Sequence, residues 1–221
     1  VSGENNSESI FEVQANAFGN NCGTYCQYSE IQAVRGQFGW GFNIPTSSLE
    51  AAFEPGDQRK DATLLRRGQT TVEGDIIISN TFNPLYNKKV YVPLSVPNPC
   101  GWGYGRDQNR RILRLGEIYL IRAEAANELN DTTEAKIYLN ALRNRAGLPS
   151  IYAISQSNFR TKIWNERHVE LAMEDDRFFD LVRQGNAGQV LRAQGKSFVD
   201  GKNEIFPIPE KQIILSGGKL I

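Results

Sequence analysis

The sequence predicts a mostly helical α+β fold, and three observations carry that reading. From Ile112 to Arg183 apolar residues recur at spacings of three and four, the period of a helix buried on one face. Before that, the chain is rich in Gly, Asn and aromatics, with only short alternating runs that suit brief strands. No apolar run approaches the roughly 18 residues a membrane-spanning helix needs. The expected architecture is an antiparallel helical hairpin plus further helices, with short strands and long irregular loops. We assign 1–221 to one domain, in which residues 1–110 are loop-rich, residues 111–185 helical and residues 186–221 an extended tail.

A chain of 221 residues is long enough for one sizeable core, or two small ones. Its 25 basic and 25 acidic residues balance to a formal charge of +0, so no global field favours nucleic acid or an anionic membrane. Cys22 and Cys26 are close enough to clip a small loop in an oxidising compartment; three unpaired thiols, with Cys100, is an equal alternative.

In order along the chain, Glu8–Gln14 alternates as a short strand, and Asn16–Gly41 reads as an ordered loop. Thr46 or Ser47 caps a short helix with Leu49, Ala52 and Phe53 on its inner face, and Pro55-Gly56 stops it. Thr71–Ile78 and Lys89–Pro93 read as strands, and Asn80–Asn87 and Ser95–Arg110 as loops. Periodicity becomes clear at Ile112 and continues through Leu115, Ile118, Ala125 and Leu129 to a break at Asn130-Asp131. A second helix, capped by Asp131 or Thr132, follows Ala135, Tyr138, Leu139 and Leu142, and Gly147 with Pro149 ends it. So short a break requires the pair to fold back antiparallel. Leu115-Gly116-Glu117-Ile118-Tyr119 fits a tetratricopeptide signature, and one such pair cannot bury its own face, so the next helix is its expected partner.

That next stretch, Ile163–Arg183, places charge where a helix should be apolar. With Ser157 or Asn158 as cap, Phe159, Ile163, Trp164, Arg167, Glu170, Leu171 and Glu174 share one face. Unpaired buried charge is too costly to keep, so Glu166, Arg167, Glu170, Arg177, Asp180 and Arg183 are the candidates for a structural ion network. Beyond Gly185 the segment Asn203–Glu210, with two prolines, is expected to be extended.

Ile163, Glu166-Arg167, Glu170-Leu171, Glu174, Arg177-Phe178-Phe179-Asp180-Leu181, Arg183 and Gly185 together resemble the carboxy-terminal region of the SusD/RagB family. So do Glu8–Val13, Asp57–Thr63, Arg114–Glu128, Leu142–Leu148 and Ile205–Pro209. The resemblance implies a surface-exposed, lipid-anchored glycan-binding protein of the bacterial outer membrane. Its partner would be a SusC-like, TonB-dependent transporter. It also implies that the chain is a fragment, since members carry a helix-rich amino-terminal half, and that any lipid anchor lies outside it.

Residues with chemistry are few. His168 is the only histidine, no metal-ligand or phosphate-loop spacing occurs, and we expect no metal, cofactor or catalytic group. Glu166 and Glu170, one turn apart, are the pair a glycoside hydrolase would use, but they share a helix beside Arg167. The loop aromatics Tyr25, Tyr28, Trp40, Trp102 and Tyr104 are the candidate glycan contacts, because a flat ring matches the C–H face of a sugar. The competing reading has each ring pinning its loop to the body, and Trp40, between two glycines just before a helix, fits it best. The function expected is non-catalytic oligosaccharide binding. The alternatives are a module that packs on the transporter while the ligand lies elsewhere, and a carboxylate-dependent hydrolase.

Overall fold

The computed structural model describes residues 5–15, 28–96, 108–152 and 155–220. Cys22, Cys26 and Cys100, and the candidate rings of Tyr25, Trp102 and Tyr104, lie outside the described residues. Two compact units divide the chain, Val1–Asp175 and Asp176–Ile221.

In the first unit, β1 (Ser9–Val13) pairs antiparallel with β4 (Arg110–Arg114), Glu12 opposite Arg111 and Val13 opposite Arg110. Leu115 N donates to Glu8 O at 2.8 Å, so the ribbon leads directly into the first long helix. The periodic run that opens at Ile112 therefore begins as strand; Leu115 is the first helical residue. A second pair, β2 (Leu64–Arg66) with β3 (Leu85–Asn87), has no counterpart in the sequence reading, which expects a loop over Asn80–Asn87. Lys89–Pro93, expected to be a strand, opens with a 3-10 turn, Lys88–Val90, because the Asn87 side chain accepts from Lys89 N and caps it. Thr71–Ile78 is a tight turn closed by one bridge, Thr70 to Ile76.

Among the described residues, three short helices precede the long ones. The segment read as loop from Asn16 to Gly41 contains α1 (Tyr28–Gln32). Along it the chain returns, Trp40 N donating to Glu30 O at 3.0 Å and Phe42 N to Ile31 O at 2.9 Å. A Cβ on Gly39 would lie 1.8 Å from Glu30 O, so only glycine allows this approach. Thr46 caps α2 (Ser47–Ala52) by accepting from Leu49 N, as its sequence indicates. Next comes α3 (Arg59–Thr63).

Helices α4 (Leu115–Glu128) and α5 (Thr132–Arg145) form the expected hairpin, with Asp131 Oδ1 accepting from Glu134 N at 2.9 Å to start the second. The third, α6 (Gln156–Glu170), is capped by Ser155, not by Ser157 or Asn158. It covers the pair through Phe159 and Ile163, which join Leu120, Ala123, Leu139 and Leu142 in one core cluster. A second cluster joins Val34, Leu65, Ile77 and Tyr86 beside α1, and a third joins Leu49, Phe53 and Leu64 to Val169 and Ala172.

The Ile163–Arg183 stretch is not one helix. It ends at Glu170, and Met173 (φ 68°) and Asp175 (φ 75°) turn the backbone before α7 (Arg177–Arg183) begins the second unit. That unit gathers Leu181, Ala187 and Phe198 into a small core, with the Phe178 ring 6.4 Å from that of Phe206. Its tail is less extended than expected, since α8 (Ala187–Ala193) and α9 (Glu210–Leu215) interrupt it. Phe206–Pro209 remains non-helical, as the prolines require.

Gly39→Ala should cost about 2 kcal/mol or more, because the added methyl forces α1 and the returning strand apart. Urea unfolding measures this, and a midpoint equal to wild type would show that the 39–42 segment is not held against α1.

Candidate functional site: a cleft over a buried ion network

Residues Glu166, Glu170 and Glu174 follow one another at intervals of four, so the end of α6 and the turn after it present three carboxylates to one side. Cations from other segments meet them. Glu170 Oε1 accepts from Arg114 Nη1 and Arg145 Nη2, each at 2.5 Å, while its Oε2 accepts from Arg59 Nη1 at 3.1 Å. Glu166 Oε2 accepts from Arg143 Nη1 at 3.0 Å, and its Oε1 lies 2.7 Å from Arg59 Nη1. Glu174 accepts from Arg114 Nε at 2.8 Å and from Lys89 Nζ at 2.5 Å. The Glu166 and Glu170 side chains are 3% and 2% exposed, so these contacts replace hydration nearly completely.

Local sequence explains the convergence. Arg59 opens α3 and is braced by Asp57, whose Oδ2 accepts from Nη2 at 2.7 Å. Arg114 ends β4, and Arg143 and Arg145 end α5, where their charge also suits the helix dipole. Gly116 gives the clearance: a Cβ there would lie 2.5 Å from Arg114 Nη1 and 2.7 Å from Glu170 Oε1.

The six residues expected to pair with one another are thus placed differently. Glu166 and Glu170 are at the centre, with partners from α3, β4 and α5. Arg167 Nη2 donates to Glu117 Oε1 at 2.8 Å. Arg177, Asp180 and Arg183 belong to the second unit, where Arg183 Nε donates to Asp180 Oδ1 at 2.8 Å. There burial pushes the Arg177 guanidinium pKa down against the pull of Asp180. The sequence does point to the missing partners, since Arg59, Arg114, Arg143 and Arg145 all fall inside segments singled out for their family resemblance.

Burial and charge compete at each acid. Burial would raise Glu170, but Arg114 and Arg145 hold it well below the usual carboxylate range. Glu174 is likewise lowered, Lys89 and Arg114 outweighing burial. At Glu166 burial wins and pushes the carboxyl up despite Arg59 and Arg143. Burial lowers Lys89, with Glu174 opposing. At Glu12, burial raises the carboxyl, but hydrogen bonds with Ser9, Asn109 and Arg111 bring it down to about 2.

Above this network lies a cleft of about 470 Å³. Glu170, Glu174 and Arg114 form its floor; Tyr28, Thr63, Lys89, Tyr91, Gln108 and Arg111 contribute to its walls. Tyr28 is half-buried, its hydroxyl reaching Met173 O at 3.4 Å and its ring covered by Arg110 at 4.9 Å from the centroid. Trp40 does not line the cleft. Its ring is 45% exposed and meets the 57% exposed ring of Phe42 edge-on, centroids 6.4 Å apart. The expectation that Trp40 pins its loop does not match that exposure; the flanking glycines and the backbone bonds to α1 fasten the loop, and the ring faces outward. Phe42 is absent from the residues the sequence singles out, although its alternation with Trp40 in Gly39-Trp40-Gly41-Phe42 is there to read. Chemically, Glu170 is held ionised under three guanidinium groups and is not a proton donor, whereas the cleft and the exposed rings suit binding. His168 is half-buried on α6.

The profile of the SusD family matches residues 7–214. The chain belongs to the SusD family. SusD-like protein P25 of Formosa agariphila is 38% identical over 151 residues, covering 66% of this chain and 26% of that protein. SusD-like protein P2 of the same organism is 26% identical over 201 residues, 80% of this chain and 38% of that protein. Among solved structures, a laminarin binding SusD-like protein is 30% identical with a TM-score of 0.77, covering 96% of this chain and 49% of its own. Surface glycan-binding protein A from Bacteroides thetaiotaomicron has the same fold, with a TM-score of 0.78 at 24% identity, covering 99% and 52%. The chain thus spans about half the length of these solved SusD-like proteins and less of the curated relatives.

Glu170→Gln should lower stability by about 3–5 kcal/mol, since it strands Arg114, Arg145 and Arg59 around a neutral group. Calorimetric unfolding tests this, and an unchanged transition would show that the network contributes nothing. Acid should act in the same direction. Glu12, Glu170 and Glu174 have depressed folded-state values, so their stabilisation is complete above the ordinary carboxylate value of 4.5 and is lost as pH falls toward about 2. Glu166, raised by burial, partly offsets this. A melting temperature constant from pH 5 to 2 would contradict the assignment.

Proposed function

We propose that this chain binds oligosaccharide without turning it over, as a portion of a SusD-like protein at the bacterial cell surface. The observation that carries the reading is the match to a laminarin binding SusD-like protein, at 30% identity across 96% of this chain. Trp40 with Phe42, and Tyr28 with Tyr25, Trp102 and Tyr104, are the rings we assign to the glycan. Trp40 and Phe42, exposed on a backbone hydrogen-bonded to α1, are suited to stacking on sugar, because little freedom is lost on binding. A carboxylate network satisfied by arginines supports binding over hydrolysis.

By family, the partner is a SusC-like, TonB-dependent transporter and the location the outer membrane, reached through a lipid anchor. Among the described residues no helix is long and apolar enough to cross a membrane.

A glycan array followed by calorimetric titration tests the proposal. The wild-type chain should bind at least one neutral oligosaccharide, laminarihexaose being the first to try, and release no reducing ends. Trp40→Ala should weaken binding about fivefold, the value of one stacking ring, with stability within about 0.5 kcal/mol of wild type. No oligosaccharide bound, or steady release of reducing ends, would overturn it.

A further inference from the structure

The cleft above the ion network lies apart from the Trp40–Phe42 pair and nothing yet assigns it a ligand. We propose that it is a second subsite, which receives a neutral, hydroxyl-rich ring of the glycan. This inference rests on the glycan-binding reading and adds a location and a shape to it.

The volume, about 470 Å³, lies within the range of small-ligand sites and exceeds what one sugar unit requires. The lining shows what kind of unit. Its charges face opposite charges of the protein: Lys89 with Glu174, Arg111 with Glu12, Arg145 with Glu8 and Glu170, and Arg59 with Asp57. The lining holds five cations, Arg59, Lys89, Arg111, Arg114 and Arg145, against three carboxylates, Glu8, Glu170 and Glu174, and Asp57 and Glu12 beside it complete the pairs, so a ligand anion would have to displace a carboxylate. A neutral polyol need not break them.

Two acceptors in the lining lack partners. Thr63 is 0% exposed, and its Oγ1 makes no hydrogen bond; Gln108 donates through Nε2 to Lys89 O at 3.2 Å, but its buried Oε1 accepts nothing. Buried polar atoms are nearly always paired, so two such atoms on residues that line one cleft mark where donors belong. Hydroxyl groups are donors of that kind. Tyr28 and Tyr91 have their hydroxyls engaged, by Met173 O and Asp75, so neither polar tip competes for the two unpaired oxygens. Buried Arg114 and Glu170, joined at 2.5 Å, give the lining a fixed polar surface on which a sugar ring can rest.

The test uses two variants chosen to fold. Ala62 is exposed and lines the cleft, so Ala62→Trp fills it from outside without disturbing the core. Thr63→Val removes one unpaired oxygen at constant shape. Laminarihexaose is titrated by calorimetry, with the best-bound oligosaccharide of a glycan array replacing it if the hexasaccharide does not bind. Ala62→Trp should weaken binding tenfold or more, about 1.4 kcal/mol, and Thr63→Val about threefold, with neither melting temperature lowered. Glucuronate should compete no better than glucose. If wild type binds and both variants equal it, the cleft is not a subsite while glycan binding stands. Stronger competition by glucuronate would show an anion site instead. If wild type binds no glycan at all, both readings fall.

Discussion

Everything in the first unit turns on the need to keep the Glu170 carboxylate charged while almost out of water. One carboxylate has room for about four hydrogen bonds, and here three guanidinium groups supply them from α3, β4 and α5. Those donors lie 111, 56 and 25 residues away in sequence. Non-local contacts of this kind are among the most demanding to assemble, and leaving one out strands a charge. The hairpin, the β1–β4 ribbon and the short helices around α3 are therefore tied to one point that has few alternative solutions. The apolar clusters supply the burial; the network decides how the pieces are registered.

The same constraint shapes the chemistry above it. A carboxylate clamped by three cations is a rigid dipolar surface, not an acid or a nucleophile. Hydrolysis of a glycosidic bond requires one carboxyl that holds a proton and another facing it across the sugar. Glu170 is held ionised, and Glu166, though raised by burial, lies behind Arg59 and Arg143. What remains is a preorganised floor whose polar groups do not have to reorient when a ligand arrives, which favours binding.

How much of this is legible in the sequence follows from where each signal is encoded. The hairpin α4–α5 is readable because period, cap and stop agree locally: Asp131 caps, Gly147 follows the end, and buried Ala135, Leu139 and Leu142 keep spacings of four and three. Short elements are not. Helix α1 is five residues long and β3 three, too brief for any period to appear, and both are set by contacts with distant partners. The corner after Glu170 escapes the pattern because helical spacing continues through it, while the turn depends on positive φ at Met173 and Asp175, neither a glycine. Family motifs mark Arg59, Arg114, Arg143 and Arg145 without saying that they meet, since pairing is a property of the folded chain. Of the exposed aromatic pair, residue type singles out Trp40 as a candidate without giving its exposure, and it passes over Phe42.

A division of labour follows from this placement. The residues by which the chain is recognisable as a SusD family member, from Asp57–Arg59 to Leu142–Leu148 and Ile163–Gly185, supply the ion network and the helices that carry it. The exposed rings lie elsewhere, on a loop fastened by backbone hydrogen bonds to α1 and by the close approach of Gly39, not by the rings themselves. Exchanging Trp40 or Phe42 for another side chain therefore leaves the fastening intact, whereas exchanging Glu170 or Arg114 does not. Change at these two rings leaves the scaffold as it is, the ordinary relation of a surface loop to a rigid frame.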